Sequence, residues 1–396
     1  MTNDNLTQIS GKDIICISSM DYEEHMTAKQ QVMKILAKRN RVFFCQKETG
    51  LEHLIKHPQL LKKIYLRYTK PYYEKDGMKI INLPILFPGR YYSNLINSLN
   101  QKKVAGYLLK LYKKFGINKP ILWTFVPHSA PLFETLPASF RIYHCAENYN
   151  ITASGRKKNI MQEQENKLCE ISDAVFCVTA GVYDKISHIV PEKSFLTYNG
   201  ADIKNYSRAL FKIEEPADLK NIPQPRILHM GMVNGKVDLD LALYIAEKRE
   251  NISIIFVGDI FYSDINLQKF NQLRGMKNVF FLGMKTVEQL PDYLSNCSAG
   301  LILGKKNEWT KITKPLKSYE YLASGKPVVA IGFPELKSFE KYFFISENYD
   351  DFISNIDFVI GGRRKSTPEE QNQFSQQHSW ENRVKEMEKI IIRLER

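Results

Sequence analysis

Short apolar runs alternate along the chain with longer stretches in which apolar side chains recur every three to four positions. The first pattern predicts strands and the second amphipathic helices. Asp13–Ser18, Arg41–Cys45, Lys79–Leu83, Ile121–Phe125, Arg141–Cys145, Ala174–Thr179 and Ser194–Tyr198 read as strands. Glu24–Arg39 and Lys157–Ile171 are the clearest helices between them. The rhythm pauses at about 203–225, a stretch that ends in Pro223 and Pro225 and reads as a connection. A second series follows, with strands at Arg226–Met230, Ile252–Val257, Val279–Leu282, Ala299–Leu303 and Pro327–Ile331. Helices are expected at Leu239–Arg249, Val287–Ser295, Leu316–Ala323 and Trp380–Leu394. A repeated βαβ order predicts α/β architecture with parallel sheets covered by helices. Two such halves joined by a linker predict a ligand cleft between them, at the carboxyl ends of the strands.

The length, 396 residues, allows two or three domains. A composition of 43% hydrophobic and 25% charged residues fits a soluble globular protein and excludes a collagen-like or disordered chain. No apolar run approaches the roughly 18 residues of a membrane-spanning helix. Met1–Lys12 is polar and shows no secretory h-region. Cys16, Cys45, Cys145, Cys169, Cys177 and Cys297 lack C-x-x-C spacing and sit mostly in apolar runs. They read as buried thiols in a reducing cytosol.

Charge is uneven. The formal net charge is +13, and residues 51–120 hold fourteen Lys and Arg against three acidic residues. The same stretch is rich in Tyr. No helix-turn-helix, zinc or RNA-binding signature accompanies the charge, so nucleic acid is not expected as a partner. A solvated surface is one reading. An anionic membrane surface is favoured, because each Lys or Arg near anionic lipid contributes about 1 kcal/mol and Tyr suits the headgroup level. Within Val104–Phe115, helical spacing puts Val104, Tyr107, Leu108, Leu111, Tyr112 and Phe115 on one face, flanked by Lys110, Lys113 and Lys114. Lys102 and Lys103 precede it. A core helix with basic flanks has the same periodicity.

Lys314–Ala330, KPLKSYEYLASGKPVVA, carries the densest chemical signal. Pro315 is expected to begin a helix and Gly325 to end it. Lys317 and Glu320, three apart, share a face. A cation in the first turn opposes the helix dipole unless an anion binds there. A diphosphate would supply that anion, and Glu320 could accept hydrogen bonds from a ribose diol. An ordinary surface ion pair is the bland alternative.

This segment resembles the nucleotide-sugar motif of GT-B glycosyltransferases of the family 4-like group. Other pieces fall in matching order: Ile171–Thr179, the turn Asn199-Gly200-Ala201-Asp202, His229–Gly235 with Asp238, Phe256–Asp259, and His378-Ser379-Trp380-Glu381. The likeness covers most of residues 140–396. It implies two Rossmann-like domains, with 1–203 plus 378–396 holding the acceptor and 204–377 the nucleotide-sugar donor. The last helix would cross back to the first domain. Gly231, Met232, Gly258, Pro315, Lys317 and Glu320 are implied to bind the donor, a UDP- or GDP-sugar.

Retaining family members carry a second acid eight positions before the ribose-binding Glu. Here Ile312 occupies that place. The pattern is more similar to bacterial polysaccharide enzymes, the teichuronic acid pathway transferases and the inverting xanthan-type glucuronosyltransferases. That likeness places an acid at the end of Arg141–Tyr149, where Glu147 stands, and makes it the candidate general base. His128 is expected to line the acceptor cleft, and His144 to be structural. Asp238-Leu239-Asp240 imitates a D-x-D metal motif, but helical spacing turns the two carboxylates ~200° apart. No metal and no cofactor are expected. The expected partner is a polyprenyl-diphosphate-linked saccharide at the inner face of the cell membrane. A sugar-nucleotide epimerase and a non-catalytic nucleotide-sugar-binding subunit are the rival readings.

Overall fold

The continuous apolar runs become strands buried on both faces. A computed structural model describes residues 8–24, 26–51, 65, 69–146, 154–307, 310–312 and 315–395. The chain divides into two compact units, 1–199 with 380–396, and 200–379. The expected divisions stood at 203/204 and 377/378.

The first unit holds β1 (Asp13–Ile17), β2 (Arg41–Cys45), β3 (Tyr72–Lys75), β4 (Met78–Ile81), β5 (Ile121–Thr124), β6 (Phe140–Cys145), β7 (Ala174–Cys177) and β8 (Ser194–Leu196). Their spatial order is β3-β4-β2-β1-β5-β6-β7-β8. All neighbours are parallel except β3 and β4. That hairpin turns at Asp76-Gly77, both with positive φ, the backbone a two-residue type I′ turn requires.

Side chains alternate across this sheet. Ile15 and Ile17 face a core built with α2 (Asn94–Phe115), α3 (Ala130–Thr135), α4 (Gly155–Ile171) and α5 (Ala180–Ser187). Ile14 and Cys16 face α1 (Ala28–Ala37) and the C-terminal helix (Trp380–Leu394). That last helix brings Trp380, Val384, Met387 and Ile391 into the core. It is tied down by Glu388, which accepts hydrogen bonds from the Ile9 amide at 3.1 Å and from Arg39 at 2.8 and 3.0 Å.

The structure corrects the reading of α2. Val104, Leu108, Leu111 and Tyr112 are buried, and Tyr107 and Phe115 pack against the same core. Tyr107 is half-buried and its hydroxyl is pushed up to about 12, by burial first and then by Cys45. The face expected to meet lipid is therefore the core face. The period of an amphipathic helix does not name the apolar medium it meets. Lys102, Lys103, Lys110, Lys113 and Lys114 do lie exposed.

The second unit begins with α6 (Ile203–Tyr206) and continues through β9 (Arg226–Met230), α7 (Leu239–Lys248), β10 (Ser253–Val257), α8 (Leu267–Arg274), β11 (Val279–Phe281) and α9 (Leu290–Ser295). β12 (Ala299–Leu303), α10 (Lys317–Ala323), β13 (Val328–Ile331), β14 (Phe344–Ile345), α11 (Tyr349–Ile360) and α12 (Pro368–Gln376) complete it. The sheet is all parallel in the order β11-β10-β9-β12-β13-β14. In both sheets the order reverses beside the first strand, between β1 and β5 and between β9 and β12. Loops diverge there and leave a crevice at the carboxyl ends.

All six cysteines are buried and none is in a disulfide. Burial raises their thiols, with Cys177 and Cys297 pushed up to about 12, which makes them inert side chains of the core. Among the described residues, no helix is long and apolar enough to cross a membrane.

Candidate functional site

In the second unit the loops after β9 and β10 touch backbone to backbone. The Gly231 amide donates to the Val257 carbonyl at 2.8 Å and the Gly258 amide to the Gly283 carbonyl at 2.9 Å. A Cβ at Gly258 would stand 2.2 Å from the Gly231 oxygen, at φ +152. Only glycine permits that approach. A Cβ at Gly231, φ +111, would stand 3.3 Å from Lys317 Nζ. The ammonium of Lys317 thus lies over the bare backbone of the first loop.

Lys317 is the first residue of α10. Its Nζ donates to His229 Nε2 at 3.3 Å. Burial, reinforced by Lys317, holds His229 well below the usual imidazole range, so it stays neutral and can accept. One turn further, Glu320 faces Tyr206 of α6, and the Tyr206 hydroxyl is hydrogen-bonded to it. Asp202 caps α6 by accepting from the Asn205 amide at 3.3 Å. Burial lowers Lys317 to about 8, with Glu320 opposing. Burial raises Glu320 to about 7, Lys317 and Tyr206 opposing and Asp202 adding. A cation and an acid, each pressed towards neutrality at a topological switch point, form a candidate binding site. A groove of about 530 Å³ opens beyond the ends of β12–β14, lined among others by Lys306, Asn307, Lys311, Phe333 and Glu347.

The first unit has its own pocket, about 270 Å³, at the ends of β1, β2 and β5. Ser18, Ser19, Lys47, Glu48, Arg90, Tyr91, His128 and Lys157 contribute to its wall. His128 Nε2 lies 2.8 Å from Glu48 Oε2, and both side chains are buried. Gln101 Nε2 donates to Glu48 Oε1 at 2.8 Å, and Arg90 approaches the same carboxylate at 3.9 Å. Burial works against the Glu48 charge, but His128, Arg90 and Gln101 together hold its carboxyl below the usual range. With Glu48 ionised, its carboxylate accepts a hydrogen bond from Nε2 of His128 and turns Nδ1 away from the pair. Nδ1 has no hydrogen-bond partner among the described residues.

Three comparisons bear on this geometry. No protein-family model matches the chain. Over 248 residues it is 23% identical to TuaH of Bacillus subtilis (strain 168), a protein named for glycosyltransfer in teichuronic acid biosynthesis. That match covers 58% of this chain and 60% of TuaH, so the chain spans less than two thirds of the length of this curated relative. The structure is similar over 97% of its length to a sucrose-phosphate synthase from Thermosynechococcus elongatus, covering 99% of that chain with a TM-score of 0.67 at 14% identity. It is similar over 95% to HepE of Anabaena in complex with UDP and glucose, covering 98% of that chain with a TM-score of 0.62 at 12% identity. The fold is GT-B.

Within this GT-B chain the expected donor residues separate into two groups. Gly231, Gly258, Lys317 and Glu320 come together as described. Met232 follows Gly231 and lies exposed. Pro315 is corrected: it does not open the helix but stands two residues ahead of it, buried, its carbonyl accepting from the Ser318 amide at 3.0 Å. The helix behind it has seven residues, so charge at this site rests on Lys317 more than on a macrodipole.

Asp238 and Asp240 are engaged separately. Asp238 caps α7 through the Leu241 amide at 3.1 Å and accepts from the Tyr349 hydroxyl at 2.9 Å. Asp240 pairs with Lys269. Among the described residues no group of three or more His, Cys, Asp or Glu is disposed to hold a metal. Glu147 lies outside the described residues. Ile312 ends a 3-10 turn, Thr310–Ile312. His144 is fully buried, stacks on Phe125 at 4.7 Å and is lowered by burial to about 3. It belongs to the core.

Sequence reasoning missed Glu48, Arg90, His229 and Tyr206 as site residues. A signal existed for two of them. His229 interrupts the apolar run of β9 one residue before its end, and Tyr206 follows the Asp202 cap by one turn.

Proposed function

We propose that this chain is a glycosyltransferase that moves a sugar from a UDP- or GDP-sugar to a lipid-linked saccharide in bacterial surface-polysaccharide synthesis. The observation that carries the reading is the cluster of Lys317, Glu320, Tyr206 and His229 over the Gly231 loop. In this reading the donor diphosphate lies against Gly231 and Lys317, and the ribose diol donates to Glu320. The binding of UDP and glucose by HepE and the naming of TuaH for glycosyltransfer support that ligand class.

The proposed chemistry is inverting and metal-independent. The acceptor oxygen attacks the anomeric carbon, and the bond from that carbon to the diphosphate oxygen breaks. The electron pair leaves with the nucleoside diphosphate, whose added charge meets Lys317. The hydroxyl proton passes to Nδ1 of His128, held in the accepting tautomer by Glu48. This gives His128 the role that sequence alone gave to Glu147.

The acceptor is proposed to be a polyprenyl-diphosphate-linked saccharide, met at the cytoplasmic face of the membrane. The surface that supports this is the amino end of α2. Leu95 is 70% and Leu99 53% exposed, and Phe87 and Tyr92 are exposed beside them. Lys103 lies over the Phe87 ring at 5.0 Å, and Lys102 is its neighbour. Lys110, Lys113 and Lys114 sit nearer the other end of a helix about 33 Å long, outside this apolar patch.

The test is a melting panel of UDP, GDP, ADP, CMP and NAD, then incubation of the stabilising nucleotide's sugar with membrane lipid extract. Label moving from the nucleotide sugar into the organic-extractable lipid supports transfer. Conversion of the donor to an epimer without acceptor would replace this reading with the epimerase. No melting shift with any nucleotide would sink both.

A further inference from the structure

The pocket of the first unit is more cationic than a neutral sugar requires. Among the described residues, Lys47, Arg90 and Lys157 stand in its wall and Glu48 is the acid there. Arg90 is buried, and its guanidinium lies 4.7 Å from the centre of the Tyr91 ring. Lys157 Nζ stands 5.5 Å from the same ring. Tyr91 meets His128 edge to face at 5.2 Å. One aromatic ring therefore carries two cations and abuts the proposed base. Stacking of this kind holds the Lys157 ammonium beside the cavity. Glu48 is already shared among His128, Gln101 and Arg90, so it does not neutralise Lys47 and Lys157 as well. The buried Nδ1 of His128, without a partner among the described residues, lines the same cavity. A cavity of about 270 Å³ at the switch point of the first sheet holds one sugar ring or a diphosphate, not a long chain.

We propose that this pocket receives the acceptor by an anionic group, a phosphate or a sugar carboxylate, gripped by Arg90, Lys47 and Lys157. The inference rests on the glycosyltransferase reading and adds the charge of the acceptor to it. Arg presents a planar fork to such oxyanions and Lys a point charge, so the pair suits either anion. The nucleophilic hydroxyl then lies on the ring neighbouring the anion, within reach of Nδ1.

The experiment titrates four probes into the full chain and follows melting: inorganic pyrophosphate, glucuronate, glucose 6-phosphate and glucose. Each is run on wild type, on Lys317→Met and on Lys47→Ala/Lys157→Ala. Both lysines of the double variant reach solvent, so that variant is expected to fold; UDP-induced stabilisation retained in it checks this. The expected result is a saturable shift with an anionic probe, kept in Lys317→Met and weakened roughly tenfold in apparent Kd in the double variant. A response to pyrophosphate without glucuronate identifies phosphate as the anion, and the reverse identifies a uronic acid. An equal response to glucose, a response lost in Lys317→Met, or a response unchanged in the double variant would each overturn the proposal. Loss of UDP stabilisation in wild type strikes the donor reading instead, so the two failures are distinguishable.

Discussion

Replacing Lys317 by Met should make the empty protein more stable and the nucleotide-bound protein less so. Burial lowers the Lys317 ammonium from the ordinary 10.5 to about 8. Unscreened, that corresponds to about 3 kcal/mol against the charged form. Lys317 is only half-buried, so solvent screening leaves about 1–2 kcal/mol of this at neutral pH. Methionine keeps the aliphatic stem and removes the charge. In a unit of roughly 180 residues each kcal/mol moves Tm by about 2–4 °C, so the empty variant should melt about 2–8 °C higher at pH 7. The sign follows from proton linkage. The folded pKa is depressed, so the penalty is full below about pH 8 and fades as pH rises towards 10.5. The gain should therefore vanish near pH 10.5. Wild type at 100 times its Kd for UDP gains about 2.7 kcal/mol, and the variant should lose most of that. Differential scanning fluorimetry with and without UDP at pH 7 reads both effects. A lower Tm for the empty variant would show that Lys317 is part of the scaffold, and an unchanged UDP shift would remove it from the donor site.

UDP binding at pH 8 should draw about half a proton onto Lys317, because an adjacent diphosphate restores its pKa. Calorimetry in two buffers of different ionisation enthalpy measures it, and equal heats in both would contradict the contact. His128→Ala should cut transfer by roughly 10²-fold or more while leaving UDP affinity unchanged, and Glu48→Gln should do the same more weakly and shift the acid limb of the pH–rate profile. His144→Phe should be neutral to stabilising, since a depressed imidazole weakens the fold only as pH falls through about 6.5 towards 3; acid melts of the variant should lack that loss. Leu95→Glu/Leu99→Glu should reduce sedimentation with phosphatidylglycerol vesicles with little change in Tm, whereas Tyr107→Glu should lower Tm by several degrees; the opposite pattern would restore the buried face of α2 as the lipid contact.

Most of the fold was legible because buried parallel strands are written as contiguous apolar runs. The β12 run Ala299–Leu303 needs no long-range knowledge to be read. The hairpin β3–β4 was half-read, because Tyr72–Lys75 is polar and half-exposed at a sheet edge; its signal was the turn pair Asp76-Gly77. The error on α2 has a different origin. Its buried face and its exposed apolar residues are both hydrophobic, and only the neighbouring β-sheet decides which is core. In the candidate site Lys317 and Glu320 were legible from a local motif. The pairing of Glu48 with His128, 80 residues apart, was not, since no local spacing encodes a contact made by two strand ends brought together at a switch point.

The two candidate sites differ in how their charges are kept, and that difference bears on their roles. In the first unit Glu48 is satisfied before any ligand arrives. Three partners hold it ionised, and it in turn fixes a neighbouring imidazole. Such an arrangement costs little reorganisation when a proton moves, as a general base requires. In the second unit Lys317 and Glu320 are both displaced towards neutrality, so the empty site carries unfavourable charge. A ligand that supplies an anion to one and hydroxyl donors to the other relieves both at once. Differential affinity of this kind is what lets a ligand stabilise one state of a protein over another. The preorganised dyad is suited to chemistry, and the strained pair to binding. A nucleoside diphosphate, with its charge and its diol on one molecule, matches the second requirement with both ends.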